Sequence, residues 1–270
     1  MEQNVQIAFT LTIMAGLATG IGSAIAFFVR GKSTRLLTFA MGFAAGVMLY
    51  VSFVEILPEA IHKLTISHEG DEHKGTTYGV IAFFVGMFVV SIIDRLIPHN
   101  ENPHEFTLEE AKATTVTQGN DKLMRIGVLT AFALALHNFP EGIATFVTTL
   151  DDPELGFTIA CAIAIHNIPE GIAVSMPIYF ATGDRKKAFT YSFLSGVVEP
   201  LGAIVGYFLL MPYLTPTLMG LLLAGVAGIM VFISLDQLLP AAEEYGEHHL
   251  SIYGVVLGMM VMAGSLILML

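Results

Sequence analysis

The chain has 270 residues, of which 54% are hydrophobic and 13% charged, with no tryptophan. Soluble domains carry about 25% charged residues, so a water-soluble fold is excluded, and the net charge of −11 argues against nucleic acid as a partner. One cysteine, Cys161, excludes a disulfide framework and any multi-thiolate metal site.

A membrane-spanning helix needs about 20 mostly apolar residues. Eight stretches qualify: Val5–Val29, Leu36–Ile61, Tyr78–Ile97, Leu123–Thr149, Leu155–Phe180, Ala188–Pro212, Pro216–Leu239 and Ser251–Leu270. They read as helices because lipid leaves every backbone group to find its partner within the protein, and strand-like alternation is missing. The first stretch does not read as a cleavable signal, since Glu2 is acidic and the apolar run is too long. Arg30, Lys32, Arg35, Arg95, Lys112, Lys122, Arg125, Arg185, Lys186 and Lys187 then share one side, and only Lys63 and Lys74 lie opposite. The positive-inside rule makes the basic side cytoplasmic and puts both termini outside. Residues 98–122 are expected to form a mobile cytoplasmic loop, and His62–Thr77 an acidic outer loop carrying His62, His68 and His73. The expectation is a single all-α, multi-pass domain over 1–270 in the inner cell membrane.

Internal symmetry is also visible. The fourth and fifth stretches share the word His-Asn-x-Pro-Glu-Gly-Ile-Ala but run in opposite directions. The second ends in Glu55-Ile-Leu-Pro58 and the seventh in Asp236-Gln-Leu-Leu-Pro240, again antiparallel. Related words on antiparallel spans point to inverted repeats, an architecture of secondary transporters.

The doubled word carries the chemistry. Residues four apart share a helix face, so His137 lies over Glu141 and His166 over Glu170, with Asn138 and Asn167 one step round. Pro140 and Pro169 cannot donate to the carbonyls of Leu136 and Ile165, which loosens each helix at the motif. Gly142 and Gly171 let helices approach closely. Glu199 falls near the centre of the sixth span, at the same depth. A lone intramembrane histidine is commonly a helix–helix hydrogen-bonder, but three helices bringing polar groups to one level indicate a site. Buried charge needs a partner, and no span interior offers lysine or arginine. A divalent metal or protons would supply the missing positive charge. Imidazole, carboxylate and amide oxygen together suit zinc, iron(II) or manganese, with cobalt and cadmium as further candidates. The metal is expected as substrate, with no resident cofactor.

Other groups read more plainly. His248 and His249 read as solvated, and Cys161 and the methionines as packing. Asp94 and Arg95 form an adjacent pair at the membrane edge. Glu55 and Asp236, near span ends, read either as interfacial carboxylates or as gating groups. The small-residue faces Gly16–Gly20 and Gly42–Gly46 allow intramolecular packing or a homodimer seam. An intramembrane metalloenzyme is the competing function, but the chain has no His-Glu-x-x-His word. A passive channel with the same ligands is a third.

The two motif helices, followed by Glu199 in Ser-Gly-Val-Val-Glu-Pro, resemble the ZIP (Zrt/Irt-like) family of divalent metal transporters over essentially the whole chain. The resemblance implies import of metal into the cytoplasm through a paired metal site. His137, Glu141, His166 and Glu170 would form the first position. Asn138, Asn167 and Glu199 would form the second, with Glu141 and Glu170 bridging. It further implies that the fourth and fifth spans belong to a unit shifting against the rest. An inner exit would lie near Asp94, His99 and Asp236, and an outer entrance near Glu55.

Overall fold

The structure, a computed structural model, describes residues 2–28, 33–96, 116–213, 215–244 and 248–269. Among them there is no strand, and eight helices are long and apolar enough to cross a membrane. They are α1 (Glu2–Phe28), α2 (Thr34–Ser67), α3 (Glu72–Leu96), α4 (Val116–Asp151), α5 (Pro153–Thr182), α6 (Arg185–Leu209), α7 (Pro216–Glu244) and α8 (His248–Met269).

Local chemistry sets the connections. A single residue, Asp152, joins α4 to α5, and its carboxylate accepts from the amides of Glu154 and Leu155 while Pro153 opens the new helix. Gly183, at φ 71°, ends α5 in the left-handed conformation that glycine adopts without cost, and Asp184 caps α6. Thr215 caps α7 ahead of Pro216.

Two expectations are corrected. The segment read as the loop His62–Thr77 is mostly helix, because α2 continues to Ser67 and α3 starts at Glu72. Tertiary contact holds this extension, with Ala60 and Leu64 buried at Gly220 of α7 and Thr65 against Gly75 of α3. Likewise α4 starts at Val116, within the segment 98–122 read as loop, while residues 97–115 lie outside the described ones.

Glu55 and Asp236 are also not at helix ends. Each lies in a π turn inside a continuous helix, Ser52–Ile56 in α2 and Ser234–Leu238 in α7. In each turn the amide after the π segment, Leu57 or Leu239, bonds back five residues to Ser52 or Ser234. The cause is the proline that follows. Pro58 and Pro240 offer no amide to the carbonyl four residues earlier, and the widened turn takes up the mismatch. In the register of the two turns Ser52 corresponds to Ser234 and Glu55 to Gln237, and both serine hydroxyls donate to the carbonyl four residues earlier.

The helices pack in two sets, α1, α4, α5 and α6 in one and α2, α3, α7 and α8 in the other. The sets meet where α5 lies on α2 and α4 on α7, over an apolar core that includes Met41, Met48, Met176 and Met230. Glycine contacts expose the symmetry. A β-carbon on Gly142 (α4) would collide with the carbonyl of Glu199 (α6), and one on Gly171 (α5) with that of Thr19 (α1). Gly202 meets Phe139 as Gly22 meets Ile168, and in the other set Gly258 meets Phe43 as Gly86 meets Gly225. Helices α1, α2, α3 and α4 therefore correspond to α6, α7, α8 and α5, each to an antiparallel partner. The expected inverted repeat is thus written into the packing. The faces Gly16–Gly20 and Gly42–Gly46 are both used inside the chain, against α6 and α8 respectively.

Candidate metal centre

The motif side chains converge in the α1–α4–α5–α6 set, where all are buried. His137, Asn138, Asn167, Glu170 and Glu199 are 0% exposed, His166 1% and Glu141 4%. His166 Nε2 lies 2.7 Å from Glu141 Oε1, and His137 Nε2 lies 2.9 Å from Glu170 Oε1 and 3.8 Å from Glu141 Oε2. Each histidine thus meets the glutamate of the other motif, so that the pairing runs across α4 and α5 rather than along one helix. The His137–Glu170 approach lacks hydrogen-bond alignment, and both Glu170 oxygens and Glu141 Oε2 are buried with no hydrogen-bond partner. Among the described residues, no three His, Cys, Asp or Glu side chains already stand as a metal cage. The groups meet in pairs, so that holding one ion between both motifs requires small side-chain rotations.

The two asparagines are oriented by backbone carbonyls. Asn138 Nδ2 donates to Ser195 O of α6 (3.0 Å), and Asn167 Nδ2 donates to Ala15 O of α1 (2.9 Å) and to Glu199 Oε2 (2.7 Å). A carbonyl only accepts, so the nitrogen must face it and the amide oxygen must face the other way. Both amide oxygens, Asn138 Oδ1 and Asn167 Oδ1, are buried and unpartnered, as is Glu199 Oε1. Neutral and charged oxygen donors are therefore left in a low-dielectric interior, where leaving them unsatisfied is unfavourable. Among the described residues no lysine or arginine is buried.

A cavity of about 680 Å3 between the two helix sets ends at Glu141 and His166. Its walls are mostly apolar, with a polar stripe on α2 formed by Glu55, Glu59 and His62. Glu55 Oε2 is buried without a hydrogen-bond partner, whereas Glu59 pairs with Lys63 at 3.0 Å. Of the other expected pathway residues, Asp236 is half-buried in the π turn of α7, the backbone of Asp94 lies near the end of α3, and His99 lies outside the described residues. The carbonyls of α1 and α6 that fix the asparagines escaped sequence reasoning. So did Thr130, whose hydroxyl donates to Gln237 Oε1 (3.2 Å) between α4 and α7.

Comparison with known proteins gives the family. The family model described as ZIP zinc transporter matches residues 5–266. The chain is similar to the zinc transporter ZupT of Nitratidesulfovibrio vulgaris, with 59% identity covering 100% of this chain and 99% of the relative. ZupT of Streptococcus mutans is 57% identical over 99% of both chains, and ZupT of Chlorobaculum parvum 56% over 100% of both. Matched over nearly its whole length, the chain belongs to the ZIP family, a family of transporters rather than enzymes.

Proposed function

We propose that this chain is a carrier that brings zinc into the cytoplasm across the inner cell membrane, with iron(II), manganese, cobalt and cadmium as further substrates. One observation carries the reading: seven buried donors from three helices, three of them carboxylates, gather with no buried lysine or arginine among the described residues. Divalent cations supply the positive charge that the chain does not. The relatives named as zinc transporters support zinc as the first substrate, and the mixture of imidazole and oxygen donors suits borderline divalent metals. We assign His137, Glu141, His166 and Glu170 to a first ion and Asn138, Asn167 and Glu199 to a second, with Glu141 and Glu170 shared.

In this reading the cavity is the outer approach. Its polar stripe starts near Glu59 and His62, and Glu55 is the last carboxylate before the motif residues Glu141 and His166. Acidic groups in a low-dielectric cleft concentrate cations. The motif ligands replace the metal's water shell, and they must be deprotonated to do so, which makes uptake sensitive to competing protons. On release, each histidine can fall back on a glutamate already within reach, which lowers the cost of leaving carboxylates buried without metal. The packing supports a moving unit larger than α4 and α5. Among the described residues, each glycine whose β-carbon would meet another helix meets one of its own set. The interface between the sets is mostly apolar and includes flexible methionines, with the Thr130–Gln237 hydrogen bond across it, so α1, α4, α5 and α6 can shift together with few polar contacts and no glycine-seated backbone contact to undo.

The test is Glu170→Ala in purified protein reconstituted into liposomes. Zinc uptake should fall by about 100-fold, with insertion and thermal unfolding near wild type. Undiminished uptake would overturn the assignment.

A further inference from the structure

We propose that Thr19 of α1 belongs to the ion site, holding on the first helix the place that Glu199 holds on the sixth and contributing a neutral hydroxyl where its counterpart contributes a carboxylate. The inference rests on the reading that Glu199 holds an ion. The internal twofold supplies the correspondence through independent contacts. Asn167 bonds to Ala15 O as Asn138 bonds to Ser195 O. Gly171 abuts the Thr19 carbonyl as Gly142 abuts the Glu199 carbonyl. Gly16 faces the Glu199 β-carbon, while Gly196 faces the Thr19 β-carbon and hydroxyl. The words Ala15-Gly16-x-x-Thr19 and Ser195-Gly196-x-x-Glu199 therefore lie in one register on antiparallel helices.

The hydroxyl itself is anomalous. Thr19 is 0% exposed and its Oγ1 has no hydrogen-bond partner. A buried hydroxyl in a helix commonly bonds the carbonyl four residues earlier, as Thr12, Ser23, Thr145 and Thr149 do in this set. Thr38, Ser175 and Ser251 are also buried without a partner, but none of them is the twin of a site carboxylate. On the Glu199 side, the carboxylate reaches Asn167 Nδ2 at 2.7 Å. On the Thr19 side, the twin asparagine presents Asn138 Oδ1, and the shorter side chain presents Oγ1, both unpartnered. The site thus has a charged half and a neutral half. Three carboxylates under-neutralise two dications, and a neutral oxygen in place of a fourth keeps ligation weak enough for release.

The symmetry makes a test possible that a purely structural role would not pass. Zinc binding and zinc uptake are measured on the full chain in liposomes for Glu199→Thr, for Thr19→Glu/Glu199→Thr and for Thr19→Val. Glu199→Thr should lower uptake by about 100-fold, and adding Thr19→Glu should restore it to within about tenfold of wild type, because the carboxylate moves to the equivalent place. Thr19→Val, which keeps the shape and removes the hydroxyl, should raise the KM for zinc by about tenfold. A double variant that inserts, unfolds like wild type and stays as inactive as Glu199→Thr would overturn the proposal. If the double variant fails to insert, an unchanged KM in Thr19→Val overturns it instead. Normal uptake by Glu199→Thr alone would instead remove the ion assignment of Glu199 on which the proposal stands.

Discussion

Gly142→Ala tests whether the close approach of α4 to α6 holds the site together. The added β-carbon would stand 2.7 Å from the Glu199 carbonyl carbon and 3.0 Å from its α-carbon, and closer still to the oxygen. Carbon atoms rest at about 3.5–4.0 Å, so the two backbones must part by about 1 Å. Overpacking of this kind costs about 1–3 kcal/mol of stability. The Glu199 side chain moves with its backbone, which stretches its 2.7 Å contact with Asn167 towards the limit of a hydrogen bond. A misplacement of about 1 Å at a site of fixed geometry costs about 100-fold, and zinc affinity by titration calorimetry should fall by that order. Gly46→Ala is the control, because its β-carbon would stand 2.8 Å from the carbonyl carbon and α-carbon of Val255, inside the other helix set. Both variants should unfold at lower temperature, but only Gly142→Ala should lose zinc. Equal affinities in the two would refute the idea that this contact positions the ligands.

Three further outcomes are expected. Glu55→Gln, which neutralises the last carboxylate of the cavity stripe, should raise the KM for zinc uptake by about tenfold while leaving kcat near wild type; a fall in kcat alone would contradict an entrance role. Thr130→Val removes the 3.2 Å bond to Gln237 that ties α4 to α7. A hydrogen bond worth about 0.5–1.5 kcal/mol net corresponds to a two- to tenfold shift in the ratio of open-cavity to closed-cavity forms. Thiol modification of Ala144→Cys at the cavity wall, in a Cys161→Ser background, should slow accordingly, and an unchanged rate would refute the bond's role. At the start of α3, the exposed Asp71 accepts from the Lys74 amide (3.0 Å), and this bond, then that of the Lys74 side chain, holds its carboxyl below the usual range. Because the folded value is the lower one, the stabilisation is complete above the unfolded value and is lost as pH falls through the folded one. The protection of the Lys74 amide, its exchange rate relative to the intrinsic rate at the same pH, should therefore be constant near neutrality and fall only below about pH 3.9, and Asp71→Asn should abolish that response.

The amino-acid sequence alone determined that eight stretches are long and apolar enough to cross a membrane and which polar groups they carry. Span length, apolarity and the doubled His-Asn-x-Pro-Glu-Gly word are local properties, set by the thickness of lipid and the turn of a helix, so His137, Glu141, His166, Glu170 and Glu199 were legible before any packing was known. Helix ends were less so. The extension of α2 to Ser67 is decided by burial of Ala60 and Leu64 against α7, and the interior position of Glu55 by a π turn ahead of Pro58. Only the tertiary structure decided that each histidine meets the other motif's glutamate and that α1 fixes Asn167 through the Ala15 carbonyl. Those facts depend on which faces of distant helices touch, and on glycines that let one backbone rest against another. The shared register of Ala15-Gly16-x-x-Thr19 and Ser195-Gly196-x-x-Glu199 was the faint signal in the sequence, and it acquires meaning only once α1 and α6 are seen to be related by the twofold.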